Sequence, residues 1–175
     1  MKLVLNSRPT ISIVALLMAL TIAACSGPPA APGVATPAPI VTPTTEGTLA
    51  DVTITLERTA CFGTCPVYKL TITGDGTVVY EGRDFVQVKG KQTSSISPAQ
   101  VQDLVDAFEQ ADFLTLTDYT EQKVTDLPYV IASITIGGQT KTVNHYHGDD
   151  SAPQLLTDLE SKIDEIVNSK QWTGK

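Results

Sequence analysis

Five cysteine and histidine side chains in this sequence have the chemistry to bind metal or, for the thiols, exchange electrons: Cys25, Cys61, Cys65, His145 and His147. Cys61 and Cys65 lie close together in Arg58-Thr-Ala-Cys61-Phe-Gly-Thr-Cys65-Pro66. In an oxidising compartment such a pair joins as a disulfide. Four-residue spacing brings the two Cα atoms within about 7 Å when the loop curls, and Gly63 permits the curl. A ring this short contributes about 2 kcal/mol by chain entropy. As free thiols the same pair would serve thiol-redox chemistry. The usual redox site has two residues between its cysteines and a helix N-terminus to stabilise thiolate. Three residues separate this pair, and the Pro-Val-Tyr-Lys-Leu-Thr-Ile that follows reads as strand. His145 and His147 are two apart, so on a strand they share a face. The ordinary role for such histidines, beside Gly148-Asp149-Asp150, is an exposed strand or turn residue. Joined to Cys61 and Cys65 they would make a four-donor set for zinc or copper. The leading expectation is a structural disulfide with no metal or cofactor, and copper is the alternative.

The N-terminus supplies the compartment. Lys2 and Arg8 precede an apolar run, ISIVALLMALTIA, over residues 11–23. That order is an export signal, and the run is short of the roughly 20 residues of a membrane-spanning helix. It ends in Ile22-Ala23-Ala24-Cys25, which resembles the bacterial lipobox. The resemblance implies cleavage before Cys25 and a diacylglycerol on its sulfur, so that the chain is a lipoprotein anchored to a membrane. Ser26 stands where Asp would resemble an inner-membrane retention signal. With two membranes the expected address is therefore the outer one, facing the periplasm. Removing residues 1–24 takes away two of 12 basic residues and none of 19 acidic ones, leaving side chains that sum to −9. That charge opposes nucleic acid and electrostatic adsorption to anionic lipid.

Motifs of enzymatic chemistry are missing. The sequence has no Gly-rich phosphate loop, no Gly-x-Ser-x-Gly elbow and no His-Glu-x-x-His helix. Its carboxylates form no spacing that argues for acid–base catalysis. The expectation is a non-enzymatic domain that contacts another envelope protein or a ligand.

The elements that would position these residues follow from periodicity. Residues 25–50 contain the lipidated Cys and a Pro/Thr/Ala-rich stretch, six Pro among residues 26–50, which reads as an extended tether. From Asp51 the pattern alternates. Val52-Ile54-Leu56, Tyr68-Leu70-Ile72, Val78-Tyr80 and Val130-Ala132-Ile134-Ile136 each predict a half-buried strand, Lys141–His147 predicts another, and Phe85–Lys89 a further edge strand. Gly74-Asp75-Gly76 and Gly137-Gly138 predict turns. Ser97-Pro98-Ala99-Gln100 and Ser151-Ala152-Pro153-Gln154 predict helix starts by the same Ser-x-x-Gln cap. Leu155, Leu156, Leu159, Ile163, Ile166 and Val167 would give the second helix its apolar face. The predicted fold is α+β: an antiparallel sheet of about 5–6 strands with two helices on one face, in hairpin-helix, hairpin-helix order. The domain is expected over 51–170, with 171–175 as a tail.

Two resemblances bear on this reading. Cys-x-x-x-Cys-Pro is similar to the motif of Sco-type copper chaperones, which implies copper held by both thiolates and a distant His. Cys-Phe-Gly-x-Cys-Pro-x-Tyr with the Gly-Asp-Gly hairpin, Thr125-Asp126-Leu127-Pro128, the Lys141–Tyr146 strand and Ala152-Pro153 resemble the domain of unknown function 6438 family, many of whose members are bacterial lipoproteins. That resemblance covers residues 51–167 and implies no activity, cofactor or catalytic residue.

Overall fold

The computed structural model of the chain describes residues 49–121 and 125–175. The expected signal at 1–24, the lipidation residue Cys25 and nearly all of the tether lie outside them.

Six strands form one antiparallel sheet in the order β4-β3-β2-β1-β5-β6. They are β1 (Thr53–Arg58), β2 (Val67–Thr73), β3 (Thr77–Asp84), β4 (Gly90–Ser95), β5 (Tyr129–Ile136) and β6 (Gln139–Tyr146). β1 pairs on both sides, with β2 and with β5. Its inward residues meet like partners in register: Ile54 with Ile72 and Ile134, Leu56 with Leu70 and Ala132. Such cross-strand pairs are the unit of sheet stability. Helix α1 (Pro98–Gln110) follows β4, and α2 (Gln154–Val167) and the single turn α3 (Lys170–Thr173) follow β6. Leu104 and Phe108 of α1 and Leu156, Leu159, Ile163 and Val167 of α2 share one core with the inner face of the sheet. The expected α+β architecture is thus the observed one.

Local signals explain most boundaries. Gln100 N–H donates to Ser97 Oγ at 3.3 Å and Ser97 N–H to Gln100 Oε1 at 2.9 Å, the predicted capping box of α1. Asp75 accepts from Thr77 N–H at 2.9 Å and from the Thr73 hydroxyl at 2.6 Å, closing the β2–β3 turn. Gly76 takes φ +86° there, where a Cβ would strike the Ile96 carbonyl oxygen at 2.2 Å.

Four expectations are corrected. Phe85–Lys89 is not a strand, and the edge strand is Gly90–Ser95. The amides of Gln87 and Val88 donate instead to Thr173 O at 3.3 Å and Trp172 O at 2.8 Å, so this segment is spent on α3. The second helix is not capped by Ser151. Its cap position is Pro153, without a side-chain bond, because Ser151 gives its N–H and hydroxyl to Asp149 Oδ1 at 3.0 and 2.6 Å. Leu155 does not belong to the apolar face and is 52% exposed. Nor is 171–175 a detached tail: Trp172 is buried and stacks on Tyr80 at 4.8 Å.

Removing that indole should therefore behave as a core truncation. Trp172→Ala is expected to lower unfolding stability by about 3 kcal/mol in a urea titration followed by far-UV circular dichroism. A change within about 0.5 kcal/mol would show that α3 is ornamental to the core.

Candidate functional site

Strand alternation decides which polar residues face inward. On β1 the row Val52, Ile54, Leu56 continues to Arg58, and on β6 Val143 continues to His145. Register then lines up Tyr68, Arg58, Val130 and His145 as one transverse row at the end of the inner face. α2 crosses that row with two acids on its packed side, Glu160 and Asp164, one helical turn apart. Glu160 is fully buried among Leu156, Leu159 and Ile163.

Asp164 takes the near half of the row. Arg58 Nε and Nη2 donate to Asp164 Oδ2 at 2.9 and 2.8 Å, and the Tyr68 hydroxyl donates to Oδ1 at 2.7 Å. Burial pulls the Arg58 guanidinium down, but Asp164 outweighs it, so Arg58 stays charged. Burial and the Asp164 charge push the Tyr68 phenol well up, which keeps it a neutral donor.

Glu160 takes the far half. His145 Nδ1 donates to Glu160 Oε1 at 2.9 Å, since an ionised carboxylate can only accept. His147, one residue beyond β6, places Nε2 3.6 Å from Glu160 Oε2, too far for a hydrogen bond. Among the described residues Oε2 has no hydrogen-bond partner although it is buried. Leaving such an atom unpaired costs about 1–3 kcal/mol. Burial drives the Glu160 carboxyl up, but the two histidines and the Arg58 charge together hold it below the usual glutamate range. The group is therefore an anion in an apolar setting.

The histidine side is walled by a loop. Tyr119 bridges to His145 in parallel, its N–H donating to Asn144 O at 2.8 Å and its carbonyl accepting from Tyr146 N–H at 2.8 Å. Its ring meets His145 edge-on at 6.5 Å. Asp118 accepts from Asn144 N–H at 2.8 Å and Nδ2 at 3.0 Å, and Asp149 accepts from Glu121 N–H at 2.8 Å. The Asn144 bonds hold the Asp118 carboxyl below its ordinary range, and the Ser151 hydroxyl, followed by the Glu121 N–H, does the same for Asp149.

The cysteines stand apart from this cluster. Cys61 and Cys65 are joined as a disulfide with Cα atoms 5.8 Å apart, in the loop between β1 and β2. As disulfide sulfurs they are not thiolate donors. Among the described residues, the set of metal-capable side chains that comes together is His145, His147 and Glu160, with one donor atom from each within 4.8 Å of the others. The expectation of exposed histidines is corrected for His145, which is buried, while the His147 side chain is 34% exposed. Glu160, Arg58 and Asp164 were not among the residues singled out by sequence, and Tyr68 was read only as a strand residue and the last position of Cys-Pro-x-Tyr. Their signal was present on α2: acids at 160 and 164 stand at helical spacing within the stripe Leu156, Leu159, Ile163, Val167.

The domain of unknown function model DUF6438 matches residues 52–167, from the residue before β1 to the end of α2. The chain belongs to the DUF6438 family. No curated protein matches it. The matched stretch of this DUF6438 domain contains the disulfide and both halves of the polar row, while Trp172 lies beyond it.

The two ion pairs of β1 should differ in weight. Arg58→Ala strands Asp164 and Tyr68 in a largely buried setting and is expected to cost about 2–3 kcal/mol in urea. Arg83→Ala removes a pair in which Arg83 is 53% exposed and should cost under about 1 kcal/mol. Equal losses would contradict the assignment.

Proposed function

We propose that this chain is an exported lipoprotein, held to a membrane by lipid on Cys25, whose DUF6438 domain is a non-enzymatic binding module of the cell envelope. The observation that carries the reading is the convergence of Ile22-Ala23-Ala24-Cys25 with the Cys61–Cys65 disulfide. The first is a lipidation address, and the second belongs to an oxidising compartment. Each acyl CH₂ adds about 0.8 kcal/mol, so two or three chains hold the protein without a spanning helix. Where the cell has two membranes, the outer one facing the periplasm is the proposed site, since Asp is absent at position 26.

The sheet's second face supports binding over catalysis. Helices cover the inner face, and the outer one carries polar rows in strict register. Thr93, Val79, Thr71, Thr55, Ser133 and Thr142 form one row across all six strands. Lys91, Glu81, Lys69, Glu57, Ile131 and Asn144 form the next, with charge alternating over its first four members. Such a platform suits a polar partner, either another envelope protein or an envelope ligand.

A thiol-redox or copper role for Cys61 and Cys65 is the second reading. In its favour, the Lys175 ammonium donates to Thr64 O, beside Cys65, and a nearby cation lowers a thiol pKa. Against it, β2 rather than a helix N-terminus follows Cys65, starting at Val67.

The test of the main reading is Cys25→Ala in the full chain expressed in a bacterial host. The unaltered chain is expected to incorporate labelled fatty acid and sediment with membranes, and the variant to do neither. Equal sedimentation of both, or no label in the unaltered chain, would overturn it.

A further inference from the structure

We propose that His145, His147 and Glu160 form a binding site for one borderline divalent transition ion of the zinc class. This adds a ligand to the domain and does not depend on how the chain is anchored. Two imidazole nitrogens and a carboxylate oxygen are the donor set that zinc, copper, nickel and iron accept. Magnesium and calcium want oxygen ligands in larger number, so they are poor occupants.

Three observations point to a cation rather than to a self-contained hydrogen-bond network. The first is Glu160 Oε2, buried and unpartnered on the side that faces His147. A cation between Oε2 and the His147 ring supplies the partner that this oxygen lacks. The second is the charge count. Arg58 is already spent on Asp164, to which it donates through both Nε and Nη2. Glu160 has no permanent cation of its own. The third is the spacing. Donor atoms on a tetrahedral zinc ion, at about 2.0–2.1 Å from the metal, stand about 3.4 Å apart. The three donors here lie within 4.8 Å of one another, so closure needs a shift of at most about 1.4 Å. His147 can make it, because its residue lies past the end of β6 and its ring is partly exposed. That exposed edge also gives the ion its route in and leaves a coordination position facing outward. His145 is the fixed ligand: β5 pairs with it through Val130 and Tyr119 bridges it from the other side. Where Nδ1 is the ligating atom, the proton it donates to Glu160 Oε1 leaves to solvent as the ion binds. Glu160 is the second fixed ligand, seated on the core side of α2. The site is therefore two-thirds rigid, with one movable arm.

The test uses the full, untagged chain in detergent, with the Cys61–Cys65 disulfide intact and any unlipidated Cys25 thiol alkylated, so that thiolates do not compete. The chain has only two histidines, which keeps background uptake low. After stripping with a chelator, Co²⁺ is titrated and its visible absorption read, and Zn²⁺ is titrated against a chromophoric chelator. The expected result is saturable uptake of one equivalent of each. His147→Ala should weaken uptake by about tenfold or more, and Glu160→Gln by at least as much. Circular dichroism shows whether Glu160→Gln has kept its fold; if it has not, His147→Ala decides, because its ring is partly outside the core. No saturable uptake of either ion by the unaltered chain, or uptake that His147→Ala leaves unchanged, would overturn the proposal.

Discussion

A carboxylate on the packed face of a helix has to find donors, and α2 carries two. Glu160 and Asp164 lie a turn apart, so the helix can rest on the sheet only where donors stand at matching separation. The row Tyr68, Arg58, Val130, His145 provides them. Hydrophobic contact alone is non-directional. Leu156, Leu159, Ile163 and Val167 would accept a range of rotations of α2 against the sheet. Hydrogen bonds from Arg58, Tyr68 and His145 would not, since moving one residue along a helix turns the side chain by about 100°. The polar row thus fixes a register that apolar burial leaves loose.

The same end of the sheet is where the disulfide sits. Arg58 closes β1, and Tyr68 lies at the start of β2; the loop between them contains Cys61 and Cys65. Further bonds tie that loop to the neighbouring one, Thr59 N–H to Tyr129 O at 3.0 Å and Phe62 N–H to Asp126 O at 2.9 Å. The bridge therefore does more than shorten the unfolded chain. It holds the connection whose two ends present the guanidinium and the phenol to Asp164. The cysteines and the polar row are coupled through geometry, without sharing a ligand.

The sheet's strands were legible because each carries period-2 alternation over a run of β-branched residues, as in Val52-Ile54-Leu56 and Val130-Ala132-Ile134. β4 was not, because Lys91, Gln92, Thr93, Ser94 and Ser95 have no apolar side to alternate. Its pairing comes from β3 and not from burial. Phe85–Lys89 looked more strand-like, yet its Gln87 and Val88 amides belong to Thr173 and Trp172 of α3, far along the chain. Ser151 had the form of a cap, but Asp149 competes as the stronger acceptor two residues upstream. At the site, the histidine pair was visible and its partner was not. Counting Leu155 into the apolar stripe of α2 set its centre away from Glu160, and neither acid of that face was singled out. An acid flanked by leucines at helical spacing is the signal that a buried site leaves in sequence.

The central physical claim is that Glu160 is an ionised carboxylate inside the core. Carbon-13 NMR of its side-chain carboxyl in the metal-free full chain, followed against pH, tests this directly. The account predicts a carboxylate at neutral pH that titrates below the ordinary glutamate value of 4.5, because the histidines and Arg58 outweigh burial. Titration above that value, with a neutral acid persisting toward pH 7, would contradict it and remove the anion on which the register of α2 depends.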